Sequence, residues 1–268
     1  MSVAHALEID DASVQIRDLW MRFGPDTPWV HRGIDLEVPA GESLVVIGGS
    51  GSGKSTLLRL LVGLECPERG DIQVAGVDVA GADRRTLYAL MAHVGVLFQF
   101  GALFDSLTVW ENVTFALKDT GLPERDLRQI AREKLQMVGL HGILDQLPGA
   151  LSGGMRKRVG LARAIAHEPR ILFCDEPTSG LDPVMSGTIS ELIAQMRDRL
   201  GVTIVTITHD MRSAYTIADR IAMLYRGRIH AWDVPEAIRA SRDPIVRQFI
   251  QGRALGPTEE SELGEAIQ

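Results

Sequence analysis

With 268 residues, 45% of them hydrophobic, the chain can bury a full core, as one large domain or as a core with a subdomain. A net charge of −7 argues against a nucleic-acid groove, which would present a basic stripe. No apolar run approaches the ~18 residues of a membrane-spanning helix, and residues 1–13 carry neither a basic n-region nor an apolar h-region, which argues against secretion.

The opening segments suit antiparallel strands. Val14 and Ile16, then Ile34, Leu36 and Val38, alternate with polar residues at the period of a half-buried sheet. Pro39, Ala40 and Gly41 make a turn. Ser43–Ile47 is a compact apolar run ending in glycines, and a helical stretch follows over Thr56–Leu64. Between Gln99 and Pro169 the pattern turns mostly helical, with charged residues over Glu124–Lys134, which predicts a helical subdomain inserted into the core at about 100–168. A helix is expected from Arg156 to about His167, stopped by Pro169, with the basic run Arg156, Lys157, Arg158 as a solvated face. Apolar runs at Ile171–Cys174, Thr203–Ile207 and Ile221–Tyr225 suit strands buried on both faces of a parallel sheet. Helical stretches near Asp182–Leu200 and Met211–Ala218 separate them, so the core is α/β. Cys66 and Cys174 suit reduced thiols rather than a disulfide framework. From Pro257 the chain is rich in Glu and loses its periodicity, as expected of a tail without a fold of its own.

Three stretches carry chemistry. Gly48, Gly49, Ser50, Gly51, Ser52, Gly53, Lys54, Ser55 and Thr56 fit the phosphate-cradling loop between a strand and a helix. Its glycines let backbone N–H groups turn towards phosphates, and the helix N-terminus adds a favourable dipole. Lys54 would neutralise β- and γ-phosphate charge, Ser55 would ligate Mg²⁺ and Thr56 would reach the α-phosphate. Asp175 and Glu176 end an apolar strand. A carboxylate there suits the oxygen shell of Mg²⁺, and Glu176 is placed to orient or deprotonate an attacking water. Ser152, Gly153 and Gly154 open a helix and would make a second anion site. One nucleotide needs one cradle, so the second site points to the nucleotide of another subunit.

The segment Leu151–Met155, LSGGM, resembles the signature of ABC transporter ATPase cassettes. The order Gly48–Thr56, Gln99, Leu151–Met155, Asp175 and Glu176, Asp182, His209 is also that family's order. The resemblance spans 14–252, with 253–268 left as an acidic tail. It implies a P-loop NTPase fold with a RecA-like core, an antiparallel β subdomain and an inserted α-helical subdomain. It further implies ATP and Mg²⁺ as cofactors and a homodimer that sandwiches two nucleotides. Ser152, Gly153, Gly154 and Asp182 would then act in trans. It makes His209 the residue that contacts the γ-phosphate and Gln99 the sensor of Mg²⁺ or the water. Phe23 stands where an aromatic stacks on adenine, with Trp20 and Trp29 as neighbouring alternatives and core packing as the plainer role.

Met155 in place of the usual glutamine, the apolar segment Phe98–Val113 and the block Asp243–Gly252 are similar to the Mla-type, MCE-associated lipid-transport ATPases. That likeness implies phospholipid cargo, integral-membrane permeases, an MCE-domain substrate-binding protein and a small STAS-domain protein. It places the chain peripherally on the cytoplasmic face of a bacterial inner membrane, with Gly101–Phe104 suited either to permease docking or to subdomain core. An amino-acid or other small-solute importer cassette shares every catalytic motif. A soluble relative acting on DNA or ribosomes would carry a coiled-coil insertion or tandem cassettes, and an inactive clamp would lack Glu176 or His209.

Overall fold

The computed structural model describes residues 11, 13–99 and 101–253. Residues 1–10 and 12 of the opening segment, Phe100, and the expected tail beyond Arg253 lie outside them.

The alternating segments near the N-terminus form β1 (Val14–Met21) and β2 (His31–Val38). They belong to an antiparallel sheet of order β2-β1-β4-β5, completed by β4 (Arg69–Val74) and β5 (Val77–Asp78). The second sheet contains β3 (Ser43–Ile47), β6 (Val94–Leu97), β7 (Ile171–Asp175), β8 (Thr203–Thr208), β9 (Arg220–Tyr225) and β10 (Arg228–Asp233). Its order is β10-β9-β3-β8-β7-β6, parallel except where β10 folds back on β9.

Burial follows the strand period of two. Leu44, Val46, Phe173, Val205 and Leu224 point into one core, which they share with the antiparallel sheet and with α1 (Lys54–Leu61). Val45, Ile47, Leu172, Cys174, Ile204 and Met223 point into the other. That second core is closed by α5 (Gly153–Ala164), α6 (Pro183–Leu200) and α7 (Met211–Ile217), together with α3 (Val109–Val113) and α4 (Glu124–Met137). Both faces of the central strands are therefore covered, as parallel sheets require. Cys174 is fully buried and burial pushes its thiol up to about 12, whereas Cys66 is exposed.

Several boundaries differ from expectation for local reasons. Helix α1 begins at Lys54, directly on Gly53, and gives way to the left-handed Gly63. Helix α5 starts at Gly153, where the Ser152 hydroxyl accepts from the Met155 N–H at 3.3 Å, and ends at Ala164. Asp182 caps α6, accepting from the Val184 and Met185 N–H groups. Helix α2 (Arg84–Met91) completes the segment between β5 and β6, and α8 (Pro235–Ala240) and α9 (Pro244–Gln251) follow β10.

The basic run does not form a solvated face. Arg156 is exposed, but Lys157 is only 5% exposed. Arg158 is half-buried and donates to the Gly139 carbonyl at 3.3 Å. Three adjacent residues cannot share one side of a helix turning 100° per residue, and the middle one here faces inward.

Candidate functional site

Strand register gathers the chemistry. Ile47 on β3 pairs with Thr208 on β8, Ile207 with Asp175 on β7, and Cys174 with Leu97 on β6. The segments leaving these strands start with Gly48, His209, Glu176 and Phe98–Gln99, so all emerge at one carboxyl edge. Open parallel sheets bind ligands there.

The loop from Gly48 to Gly53 is built for close approach. A methyl group on Gly48 would run into the Leu224 carbonyl oxygen and the Ser52 hydroxyl. Gly53 has φ +100°, and a methyl on it would lie 2.8 Å from His31 Nε2. His31 itself is fully buried at the start of β2, with Nε2 3.1 Å from the Gly53 carbonyl, which makes Nε2 the protonated nitrogen. Burial lowers its pKa to about 4, so the imidazole is neutral. Lys54 Nζ donates to the Gly48 and Gly49 carbonyls at 2.8 and 2.9 Å. Burial lowers the Lys54 pKa, while Glu176 and Asp175 oppose that shift. Gly49, Ser50, Gly51 and Ser55 are exposed, and Ser52 and Thr56 half-buried.

Two adjacent carboxylates face this ammonium. Asp175 is raised above the ordinary aspartate range, first by desolvation and then by Glu176, with Arg59, Lys54 and Lys157 acting against it. Its Oδ1 is buried and has no hydrogen-bond partner among the described residues. A buried, unpartnered carboxylate oxygen is costly, and it fits the hard-oxygen chemistry of Mg²⁺. Glu176 is buried, with φ +45°, a left-handed conformation that costs a residue with a Cβ about 1–2 kcal/mol. Its N–H donates to the Ile207 carbonyl at 2.9 Å. Its Oε2 accepts from the Thr208 hydroxyl at 3.1 Å, and Oε1 lies 2.9 Å from His209 Nδ1. Thr178, Ser190 and Ser213 form a chain of hydroxyls behind this pair, anchored where the Ser213 hydroxyl donates to Asp210 at 2.6 Å. A cavity of about 430 Å³ opens beside them, lined in part by Glu176, His209, Thr178 and Ser213.

The remaining candidates fall into two groups. Gln99 is half-buried just past β6, on the same edge. Phe23 is 59% exposed, which rules out core packing for its ring. Trp20 and Trp29 are engaged with each other, edge to face at 5.3 Å, and Arg22 stacks over Trp29 at 4.3 Å. By contrast, Ser152 and Gly153 are exposed at the start of α5. Gly154 is buried there, where a methyl would meet Met185 Cε at 2.8 Å. Among the described residues, no hydrogen bond or ion pair joins Ser152, Gly153 or Gly154 to the phosphate loop. Asp182 is exposed next to Met185's helix start.

Sequence reasoning missed two members of the site, His31 beneath the loop and Lys157 beneath Glu176. Lys157 Nζ donates to the Glu176 carbonyl at 3.0 Å and to the Ser179 hydroxyl at 3.2 Å. A lone histidine and a lysine within a basic run carry no spacing signal that would have singled them out. Gly101 is buried, Ala102 exposed and Leu103 half-buried. Phe104 is 44% exposed and stacks on Phe115 at 4.4 Å, so Gly101–Phe104 is part core and part surface.

Residues 31–179 match the family model described as ABC transporter. The chain is 42% identical over 251 residues to the probable ribonucleotide transport ATP-binding protein mkl of Mycobacterium leprae, covering 93% of this chain and 72% of that one. It is 38% identical over 257 residues to the intermembrane phospholipid transport system ATP-binding protein MlaF of Escherichia coli K12, covering 96% and 92%. Among solved structures, the dimeric post-hydrolysis state of the ATP-binding cassette MJ0796 bound to ADP and Pi superposes with a TM-score of 0.76. It is 28% identical, over 83% of this chain and 98% of that one.

Proposed function

The chain belongs to the ABC transporter family as an ATP-hydrolysing subunit related to the Mla ATPases, and on that premise we propose that it energises phospholipid transport across a bacterial cell envelope. The observation that carries the reading is the meeting of Lys54, Asp175, Glu176 and His209 at one sheet edge. The chain that holds them matches MlaF over 92% of the latter's length.

Phosphoryl transfer through a loose transition state asks for positioning and charge stabilisation more than covalent chemistry. Lys54 exchanges the Gly48 and Gly49 carbonyls for β- and γ-phosphate oxygens. The amides of Gly48–Gly53 and the α1 N-terminus hold the phosphates, with Thr56 on the α-phosphate and Phe23 stacked on adenine. Ser55, Asp175 and Gln99 would hold Mg²⁺, which would supply charge neutralisation on the phosphates. Glu176 orients the attacking water and takes its proton. His209, held through Nδ1 by Glu176, offers its other ring nitrogen to the γ-phosphate.

Ser152, Gly153, Gly154 and Asp182 complete the pocket of a second copy in a head-to-tail homodimer, which suits the exposure of Ser152, Gly153 and Asp182. The domain limits follow the same reading: an ATPase domain over 14–252 with a helical subdomain over about 100–168, then a tail. The exposed Phe98, Ala102 and Phe104 suit docking to a permease on the cytoplasmic face of the inner membrane. No helix among the described residues is long and apolar enough to cross a membrane. An MCE-domain protein and a small STAS-domain protein complete the assembly.

The relative named for ribonucleotide transport favours a second reading, a small-solute importer. Isolation of the complex from native membranes, followed by mass spectrometry of its proteins and lipids, separates the two. A permease, an MCE-domain protein and bound phospholipid are expected. A solute-binding protein without lipid would overturn the phospholipid reading.

A further inference from the structure

We propose that Lys157 is a positioning residue for ATP hydrolysis: from the second turn of α5 it holds the backbone of Glu176 in the conformation that aims the carboxylate. The inference rests on the ATP-hydrolysing reading above and is independent of the cargo.

The contacts are specific. Glu176 is left-handed, a state that a residue with a Cβ keeps only when its surroundings over-determine it. Its N–H is fixed by the Ile207 carbonyl, and its carbonyl receives both the Ser179 N–H at 3.2 Å and the Lys157 ammonium at 3.0 Å. The same ammonium donates to the Ser179 hydroxyl, so one side chain clamps both ends of the turn from Glu176 to Ser179. On the other side of that turn the carboxylate meets Thr208 and His209. A 1 Å misplacement of a reacting group costs on the order of 100-fold in rate, and this turn sets where Glu176 points.

The lysine is not a neutral filler. A buried charge must be paired to be tolerated, and an apolar side chain would suit a core position better on packing grounds alone. Burial brings its pKa down to about 8, with Glu176 and Asp175 acting to keep the proton on. Near neutral pH the group is therefore cationic beside the two carboxylates. Its hydrogen bonds go to the Glu176 carbonyl and the Ser179 hydroxyl, so its effect runs through Glu176.

The test compares full-length Lys157→Met, Lys157→Arg and Ser179→Ala chains with the unaltered one, measuring ATP turnover, ATP affinity and thermal unfolding. Lys157→Met keeps the length and removes the donors. It is expected to lower kcat by about tenfold or more while the ATP dissociation constant stays within about twofold. Lys157→Arg should recover much of the rate, and Ser179→Ala should show a smaller loss of kcat of the same kind. Unchanged kcat in a folded Lys157→Met chain overturns the proposal, and so does a parallel loss of kcat and ATP affinity. Should Lys157→Met fail to fold, Lys157→Arg and Ser179→Ala decide: full kcat in Ser179→Ala, or a melting loss without a selective kcat loss in both, overturns it. An unaltered chain that turns over no ATP, alone or with its membrane partners, would remove the hydrolytic reading and this inference with it.

Discussion

His31 shows how a residue outside every motif can govern the phosphate loop. It is buried against Gly53, and its Nδ1 has no partner among the described residues. Burial strips solvent from the charged imidazolium, which is why its pKa falls to about 4 even though the Gly53 carbonyl acts to raise it. The unfolded chain, with an ordinary histidine near 6.5, binds the proton more readily between those values. Stability from this residue is thus fully present above about 6.5 and declines as pH falls towards about 4, by up to ~3 kcal/mol. Chemical denaturation at pH 7 and pH 5 should reveal the loss, and His31→Gln should reduce it. An identical pH dependence in the variant would contradict the assignment. The residues legible from sequence, Lys54, Asp175, Glu176 and His209, all sit at or just past the end of an apolar strand, Lys54 after a glycine-rich loop. His31 and Lys157 acquire their roles only when β2 and α5 pack against the edge, and no local pattern encodes that.

At the scale of elements, β3, β7, β8 and β9 were readable because burial on both faces leaves a continuous apolar run, and α6 because Asp182 and Gly201 cap its ends. Strand β4 and helix α2 were not. Only Ile72 and Val74 of β4 and Leu90 of α2 are buried, too few to impose a visible period. The seat of the segment after Gln99 was also hidden. Arg163 of α5 donates to the Gly101 and Ala102 carbonyls at 2.6 and 2.7 Å, and Gly160 lies under Gly101. A methyl on Gly160 would sit 3.1 Å from the Gly101 Cα and 3.2 Å from Leu97 Cδ1. Gly160→Val should therefore overpack this contact and cost about 1–3 kcal/mol, read as a lower denaturation midpoint. An unchanged midpoint would show that the two elements part without strain.

For the whole molecule, the proposed function has the phosphate loop and the Ser152 helix end serving different nucleotides. Copies carrying Lys54→Ala and copies carrying Ser152→Arg should each be inactive. Mixed in equal amounts under exchange, half the dimers would pair one of each, and each such dimer would keep one intact pocket of two. About a quarter of the unaltered turnover should then return. No recovery from well-exchanged mixtures would count against pockets shared between chains.

Watching that pairing needs no engineered handle. The sequence holds two sulfhydryls. The Cys174 thiol is buried and pushed up to about 12, while Cys66 stands at the surface beyond α1. Thiolate chemistry requires both access and ionisation, so a maleimide dye added near neutral pH will find one address per polypeptide. Two such dyes, one on each copy, turn the approach of the protomers into a change in energy-transfer efficiency as ATP is titrated in.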